Sequence, residues 1–196
     1  SPQDNREHDP ARARQLISEV LADGTGNGYV VEVDGEARIE VPFYVGDTFE
    51  YGLVAEFLQQ QWQESNIFVE LNVVPENVYY AEGDNNWLNT QLGMTAWGAR
   101  PTPQEYLSVA YTEGAAFNES RWVNEELADL AEEASRTADI DARAELYDQI
   151  SQVFLESGPI IIPYFRPVVA AHSDSVEGLE LHSFPGRTDF SEVDLR

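Results

Sequence analysis

The order of strand-like and helix-like segments in the middle of this chain restricts its fold more than any other feature. The segments are two β-rich runs around Asp34-Gly35 (29–45), a helix (49–62), a strand (67–74), a weaker helix (77–92) and a short strand (94–98). Each assignment rests on the spacing of apolar residues, which repeats every two residues in strands and every three or four in helices. Strands separated by helices in this way predict a parallel sheet built from crossover connections.

Helical patterns dominate the rest of the chain. We predict helices at 10–21, 123–134 and 140–154, a buried strand at 160–165 ("IIIPYF") and short β pieces in the tail from Val168. Asp9-Pro10 opens the first helix as an N-cap followed by proline, and Gly158-Pro159 ends the last one. The predicted fold class is therefore α/β, with a mixed sheet and helices packed on both of its faces.

The charge of the chain excludes one class of partner and suggests an environment. There are 36 acidic residues against 11 basic ones, all of them arginine, for a formal net charge of -25. Such a surface repels a phosphate backbone, so nucleic acid is not an expected partner. Disorder is the first alternative for so acidic a chain, but 11% aromatic residues and clear periodic segments indicate a folded protein. We interpret the charge as adaptation to high salt, where ions screen carboxylate repulsion, with plain acidity as the other interpretation.

The sequence contains no motif of a known catalytic centre. The patterns G-x-S-x-G, H-E-x-x-H, the P-loop and the dinucleotide G-x-G-x-x-G are absent, and so is cysteine. The three histidines, at 8, 172 and 182, are scattered, and no run of residues has the spacing of a metal site. We therefore expect a protein that is not an enzyme, with neither a metal nor another cofactor.

The stretch "MTAWGARPTP" (94–103) ends a predicted strand in an unusual way. A strand-like start runs into Trp97-Gly98, then Arg100, then two prolines that flank a threonine. The prolines stop the strand, so a large aromatic ring and a cation are left at its end. From these residues alone, the stretch is either a ligand site or a sheet edge followed by a rigid turn.

Six motifs follow one another in an order that is more specific than any of them alone. They are "DPARARQLISEV", "VELNVVP", "WGARPTPQEYLSVAY", "NEELADLAEEA", "DIDARAELYDQISQVFLESGPIIIPYF" and "SVEGLELHSF". The strongest piece, in the fifth motif, consists of Arg143, Leu146, Tyr147, Leu155, Pro159, Ile162, Pro163 and Phe165. From about Asp9 to Val193, the chain resembles the C-terminal lobe of the family 5 extracellular solute-binding proteins. These are the dipeptide, oligopeptide and nickel group that feeds ABC importers.

The resemblance implies an α/β lobe of the type II periplasmic-binding-protein kind. Members of the family are more than twice this length, so residues 1–196 would be one ligand-binding lobe of a two-lobed protein. Residues 166–196 would return toward the hinge and the missing lobe. The implied function is capture of a small solute, most readily a peptide-like one, by hinge closure, and its delivery to an ABC permease. The alternatives are a ligand-sensing or partner-binding domain that reuses the same lobe and, more remotely, an α/β hydrolase.

The expected location also follows from the resemblance. No run approaches the eighteen or so apolar residues of a transmembrane helix, and "SPQDNREHDP" lacks the apolar core of a signal peptide. A mature chain or a fragment would lack that signal as well. We therefore expect an extracellular, cell-surface or periplasmic monomer, whose isolated lobe binds its solute weakly or not at all.

The resemblance assigns a binding role to the unusual strand end. In peptide-binding relatives the segment that matches 94–99 is an edge strand whose backbone pairs with an extended peptide. The predicted ligand-binding residues are Thr95, Ala96, Trp97, Gly98, Ala99 and Arg100. In those relatives an aspartate soon after the matching tryptophan captures the α-amino group of the peptide. This chain has Arg100 there, which suits a carboxylate or another anion.

Several individual roles stay open on the sequence alone. Arg100 either contacts the ligand or pairs with a neighbouring carboxylate of this acidic chain. Trp97 either lines the cleft or packs in the core, and Gly98 beside it would allow a close approach of backbone. Asn118 and Trp122 lie either on the same rim or in the core or surface.

Overall fold

The computed structural model describes residues 7–48, 50–81, 86–182, 184 and 186–196, which fall into two compact units. The N-terminal unit comprises the described residues up to Ala96, and the C-terminal unit begins at Trp97. The first contains a four-stranded sheet with helices, and the second is mainly helical. Each unit has its own cluster of buried apolar side chains.

The N-terminal unit follows most of the predicted order of segments. Its elements are α1 (Pro10–Asp23), β1 (Val30–Val33), β2 (Glu36–Gly46), α2 (Tyr51–Gln63), β3 (Ile67–Val74), α3 (Glu76–Tyr79) and β4 (Leu92–Met94). The predicted first helix, the hairpin, the second helix and the strand at 67–74 are confirmed. Phe49, the predicted start of the second helix, lies outside the described residues.

Capping and turn residues explain where the first elements begin and end. The Asp9 carboxylate accepts a hydrogen bond from the Arg12 backbone N–H at 2.9 Å, and Pro10 occupies the first helical turn. Gly24 ends α1 in the left-handed conformation, with a φ of 67°. The Asp34-Gly35 turn has positive φ at both residues, which is the geometry of a two-residue hairpin between β1 and β2.

The central strand of the sheet is β2. It pairs in parallel with β3, where Ile39 lies opposite Ile67, and in parallel with β4, where Phe43 lies opposite Leu92. β1 pairs with the first part of β2 in the antiparallel sense, on the edge that β4 uses further along. The predicted parallel sheet is therefore confirmed, and the antiparallel hairpin makes it a mixed sheet.

The core of the N-terminal unit lies between this sheet and α2. Phe43 and Val45 alternate toward the same face of β2, and both are almost completely buried. Ala55 of α2 is buried with them, and its small side chain allows the helix to approach the sheet closely. Trp62 packs with its ring centroid 5.7 Å from that of Phe43. Burial of a large apolar side chain contributes about 1.5–3 kcal/mol to the free energy of unfolding.

The predicted helix at 77–92 is wrong over most of its described length. Only α3 is helical there, and residues 82–85 lie outside the described part of the chain. The Asn86 side chain accepts a hydrogen bond from the Leu88 N–H at 3.0 Å and donates one to the Ala81 carbonyl at 2.7 Å. An asparagine that bonds the neighbouring backbone in this way replaces helical hydrogen bonds by turns.

The short strand predicted at 94–98 begins and ends earlier, as β4. Met94 pairs with Val45, and β2 ends one residue later at Gly46. Among the described residues, this is the last residue pair of the ladder between β2 and β4. The chain therefore runs from Thr95 to Arg100 without regular secondary structure.

The C-terminal unit is built mainly from helices. Its elements are α4 (Pro103–Tyr106), a π-helical turn (Leu107–Tyr111), α5 (Glu125–Arg136), α6 (Ile140–Ser157), β5 (Val176–Glu177) and β6 (Asp194–Leu195). Both predicted long helices are confirmed, and the antiparallel pair β5–β6 agrees with the short β pieces predicted for the tail. The Asn124 side chain caps α5 and the Asp139 carboxylate caps α6, each by accepting a backbone N–H of the first turn.

The helices α5 and α6 pack against each other through an apolar stripe. Leu127 and Ala131 of α5 are buried with Ile150 and Val153 of α6, and Leu107 of the π-helical turn joins the same cluster. The small side chain of Ala131 lets the two helices approach each other closely. This cluster is the core of the C-terminal unit.

The predicted buried strand at 160–165 is wrong. The segment forms neither helix nor strand and is exposed, with Phe165 87% accessible to solvent. A strand needs a neighbour that accepts its backbone hydrogen bonds, and no strand in the described part of the chain pairs with this segment. Pro163 also lacks the N–H that a ladder requires.

Candidate functional site

The six predicted ligand-binding residues follow directly after β4. Thr95 and Ala96 are the last residues of the N-terminal unit, and Trp97, Gly98, Ala99 and Arg100 are the first of the C-terminal unit. Thr95 and Trp97 are half-buried, whereas the other four residues are exposed. We call this run, residues 95–100, the post-strand segment.

Trp97 is held in one orientation by contacts within the C-terminal unit. Its indole Nε1 donates a hydrogen bond to Glu119 Oε1 at 3.0 Å. Its ring lies 5.8 Å from that of Tyr106 and, edge to face, 6.2 Å from that of Phe117, measured between centroids. Since the indole is only half-buried, part of it faces solvent. The ring is therefore neither a fully buried core residue nor free, but an oriented aromatic surface.

Tyr106 fixes the backbone beside Trp97. Its phenol donates a hydrogen bond to the Gly98 carbonyl oxygen at 2.7 Å. Tyr106 is the last residue of α4, and Pro103 at the start of that helix sets where it begins. Sequence analysis missed Tyr106, because its contact with Gly98 arises from the fold of the intervening loop and leaves no pattern in the sequence.

The Arg100 side chain folds back over the same backbone. Its Nη1 donates hydrogen bonds to the carbonyl oxygens of Gly98 and Ala99 at 3.2 and 3.4 Å. Its guanidinium carbon lies 5.9 Å from the centroid of the Tyr106 ring, within the range of a cation–π contact. These contacts hold the guanidinium at the surface, next to the post-strand segment.

The alternative to a ligand contact for Arg100 is an ion pair with a neighbouring carboxylate. Ion pairs in the described residues involve Arg12, Arg38, Arg136 and Arg196. In the same described part of the chain, the Arg100 guanidinium forms no ion pair. The described residues therefore offer no carboxylate that accounts for its charge.

Gly98 is not required by the packing of the protein around it. A Cβ atom added at this position would meet Arg100 Nη1 at 3.4 Å, and that atom is the end of a flexible side chain. The chain itself thus leaves room for a larger residue. The open space over Gly98 is available to a backbone that approaches from outside.

Backbone donors are available along the post-strand segment. The N–H groups of residues 96–100 donate to no protein acceptor within the part of the chain that the structure describes. Exposed N–H groups that follow the end of an edge strand can pair with the carbonyl groups of an extended ligand.

The negative charge of Glu119, which orients Trp97, also acts on Tyr111. Burial, followed by the negative charge of Glu119 and by Tyr106, raises the pKa of Tyr111 from 10.0 to about 12. The Tyr111 ring also packs edge to face against Phe154 of α6, at 4.8 Å between centroids. The carboxylate that orients Trp97 is thus linked to the helical core through Tyr111.

Asn118 and Trp122 belong to the packing of the C-terminal unit. The Asn118 Nδ2 donates a hydrogen bond to the Trp122 carbonyl oxygen at 2.9 Å, and the Trp122 ring lies 5.7 Å from that of Phe154. Trp122 is one of the half-buried residues around the α5–α6 core. Of the two sequence interpretations, the structure favours the core for this residue.

A shallow groove of about 350 Å³ lies on the sheet, away from the post-strand segment. It runs along β2 and β3 and is lined by Glu40, Val41, Pro42, Phe68, Val69 and Glu70. The Arg38 guanidinium lies 5.0 Å from the centroid of the Phe68 ring and forms an ion pair with Glu40. Arg38, which lies beside this groove, is therefore already paired within the described residues.

The described residues contain neither clustered metal ligands nor a helix that could span a membrane. No three or more of their His, Asp and Glu side chains are grouped to hold a metal ion. None of the described helices is long and apolar enough to cross a bilayer.

The fold of the chain is that of the type II periplasmic binding proteins. The oligopeptide-binding protein AppA from Bacillus subtilis, solved in complex with a nonapeptide, matches it with a TM-score of 0.70 at 18% identity. The match covers 100% of this chain and 40% of that one. The predicted α/β fold class is therefore confirmed.

Sequence comparisons narrow this class to one family. The family model for bacterial extracellular solute-binding proteins, family 5 Middle, matches residues 1–118. The dipeptide-binding protein of Pseudomonas aeruginosa is 25% identical over 186 residues, which are 90% of this chain and 32% of that protein. The oligopeptide-binding protein OppA of Bacillus subtilis is 23% identical over 144 residues, 72% of this chain and 26% of that protein. The chain belongs to family 5 of the bacterial extracellular solute-binding proteins, and it spans a third or less of the length of these two relatives.

Proposed function

We propose that this chain is a ligand-binding lobe of the substrate-binding component of an ABC importer. It would capture a small, peptide-like solute outside the membrane and close over it together with the rest of a longer protein. Residues 95–100 are the proposed contact, with the solute lying alongside as an added strand. Binding then relies on backbone hydrogen bonds and shape complementarity, and no covalent bond of the solute is made or broken.

The observation that carries this proposal is the state of the post-strand segment. Its N–H groups at 96–100 have no acceptor among the described residues, and they lie beside the oriented, half-exposed ring of Trp97. Unpaired donors next to an aromatic surface suit an extended chain, which offers a carbonyl group and a side chain at each residue.

The peptide ligands of two relatives support a peptide-like solute for this chain. One is named a dipeptide-binding protein, and the AppA structure holds a nonapeptide. At 25% and 18% identity, these two relatives do not define the length or the side chains of the solute, which belong to the proposal. An ABC permease as partner, a monomeric state and a position outside the membrane belong to it as well.

A non-enzymatic role is part of the same proposal. The post-strand segment contains no nucleophile–base pair, since Thr95 carries a hydroxyl but the other residues, which are Ala, Trp, Gly and Arg, supply no base. The segment offers backbone donors, an aromatic ring and a cation, and these are the features of a binding surface.

The test is isothermal titration calorimetry on the complete polypeptide that contains this chain. Tri-alanine and fully blocked tri-alanine (N-acetylated and amidated) are the ligands, and maltose is the control solute. We expect binding of the peptides and no heat from maltose. Failure of every peptide to bind would contradict the proposed function.

A pair of variants then tests the backbone contact itself. Ala99→Pro removes one exposed N–H, whereas Ala99→Ser keeps it at the same position. One hydrogen bond contributes about 0.5–1.5 kcal/mol, so Ala99→Pro should weaken peptide binding by roughly two- to tenfold. Equal affinities of the two variants would argue against backbone pairing at this residue.

A further inference from the structure

The carbonyl oxygens of Gly98 and Ala99 accept hydrogen bonds from side chains of the protein, whereas the neighbouring N–H groups have no acceptor among the described residues. The Gly98 carbonyl oxygen accepts hydrogen bonds from Tyr106 Oη and from Arg100 Nη1, and the Ala99 carbonyl oxygen accepts another from Arg100 Nη1. The N–H groups of Gly98, Ala99 and Arg100 have no acceptor among the described residues. An ordinary strand edge alternates free donors and acceptors, whereas at Gly98 and Ala99, within the described part of the chain, the N–H groups are free and the carbonyl oxygens already accept hydrogen bonds.

The Arg100 guanidinium adds further donors at the same end of the post-strand segment. Only Nη1 is engaged, so Nη2 and Nε have no partner in the described residues. The contact with the Tyr106 ring, at 5.9 Å, restricts the motion of the guanidinium. A planar fork held in place in this way loses little conformational entropy when it binds a carboxylate through two hydrogen bonds.

The positive charge of Arg100 contrasts with the strongly negative charge of the whole chain. With 36 acidic and 11 basic residues, the general field attracts cations and repels anions. Arg100 is a local positive charge on this acidic chain, and it forms no ion pair within the described residues. An ammonium group placed there would be repelled by the guanidinium.

We infer that the post-strand segment takes the carboxylate-bearing end of its solute at Arg100. The carboxylate accepts hydrogen bonds from the guanidinium and from the N–H groups of Gly98 and Ala99, while Trp97 lies under the adjoining part of the solute. This inference rests on the proposed function and adds the chemical class of the solute, an extended molecule with a carboxylate. The carboxylate is either the C-terminal α-carboxylate of a peptide or an acidic side chain.

Four blocked tripeptides, three of tri-alanine and one of Ala-Glu-Ala, separate these groups in calorimetric titrations of the complete polypeptide. N-acetyl-tri-alanine has only the α-carboxylate, and N-acetyl-Ala-Glu-Ala-amide has only a side-chain carboxylate. Tri-alanine amide has only the amine, and N-acetyl-tri-alanine amide has neither charge. We expect at least one carboxylate ligand to bind about tenfold or more tightly than the amine ligand, and the stronger of the two carboxylates identifies the source.

Variants then attribute this preference to Arg100. Arg100→Gln should weaken the binding of the preferred carboxylate ligand by roughly ten- to a hundredfold, the loss expected for a charge-assisted pair. It should weaken the binding of the uncharged peptide by a much smaller factor, and an unaltered far-ultraviolet circular dichroism spectrum shows that the variant is folded. Arg136→Gln, which removes a surface arginine paired with Glu132 on α5, is the matched control for net charge and should have no effect.

Different failures point to different parts of the argument. If the uncharged peptide binds but Arg100→Gln does not alter the preference between carboxylate and amine ligands, the inference is overturned and the proposed function stands. Preference for the amine ligand has the same meaning. If no form binds to the unaltered protein, both the inference and the proposed function are overturned.

Discussion

The indole nitrogen of Trp97 donates a hydrogen bond to Glu119 Oε1 at 3.0 Å, across 22 positions of sequence. The bond orients an aromatic ring that would otherwise rotate at the end of a strand. It also places a carboxylate beside Tyr111, whose pKa it helps to raise. Glu119 therefore connects the candidate binding surface to the helical core of the C-terminal unit.

Removal of the Glu119 carboxylate should destabilise the C-terminal unit. A half-buried hydrogen bond to a charged acceptor is worth about 1–2 kcal/mol, so Glu119→Ala should lower the free energy of unfolding by that amount. Glu113→Ala removes an exposed carboxylate from the same loop and is the matched control, with an expected change below about 0.5 kcal/mol. Urea unfolding followed by circular dichroism measures both.

A double-mutant cycle tests whether the loss comes from Trp97. In a Trp97→Phe background the indole N–H is gone, and Glu119→Ala should then cost about 1 kcal/mol less than in the unaltered protein. An unchanged cost would show that Glu119 stabilises the unit through other contacts.

Tyr111 predicts a pH dependence at alkaline pH. Because the pKa of Tyr111 rises from 10.0 to about 12 on folding, the unfolded state releases its proton first. The stabilising contribution of this group is complete below pH 10 and is lost as the pH rises through 12. Tyr111→Phe should therefore lose less stability than the unaltered protein between pH 10 and 12 in denaturant titrations.

The same group gives a spectroscopic prediction. An ultraviolet titration of tyrosinate should show a step near pH 12 that is absent in Tyr111→Phe. In Glu119→Gln the step should move to lower pH but stay above 10, since burial is the largest cause of the raised pKa. A step that does not move would exclude Glu119 as one of its causes.

The α5–α6 core predicts a contrast between two leucine-sized side chains. Leu127 is fully buried, whereas Ile140 at the start of α6 is 73% exposed. Leu127→Ala should lower the free energy of unfolding by about 2–5 kcal/mol, and Ile140→Ala by less than about 0.5 kcal/mol. Similar losses in thermal or urea unfolding would mean that α5 and α6 do not form the core described here.

The net charge of -25 predicts stabilisation by salt. Raising KCl from 0.1 to 1 M shortens the screening length from about 10 to 3 Å and weakens repulsion between surface carboxylates. The melting temperature should therefore increase with KCl concentration. A melting temperature independent of KCl would contradict adaptation to high salt.

The elements that could be predicted from the sequence carry their own local signals. Asp9-Pro10 starts α1, Asp34-Gly35 turns the hairpin, and alternating apolar residues define β3. The elements that failed depend on partners elsewhere. Residues 160–165 have the composition of a buried strand but no strand of the described residues to pair with, and Asn86 replaces a helix by turns through its side chain.

For the candidate site, the sequence suggests a location but not the contacts within it. Trp97, Arg100 and the two prolines that follow, Pro101 and Pro103, single out residues 95–100 as a prediction that stays open. The contacts of Tyr106 with Gly98 and of Glu119 with Trp97 span 8 and 22 positions of sequence with no shared spacing, so only the folded loop reveals them. The occupied carbonyl oxygen of Gly98 follows in part from the first of these contacts.

Hydrogen–deuterium exchange on the complete polypeptide, with and without saturating tri-alanine, tests most directly whether residues 95–100 bind the solute. If the solute pairs with this backbone, amide exchange at 96–100 slows when the peptide is added, while exchange within α6 stays the same. If tri-alanine binds in calorimetry and exchange at 96–100 is unaffected, the solute lies elsewhere on the protein.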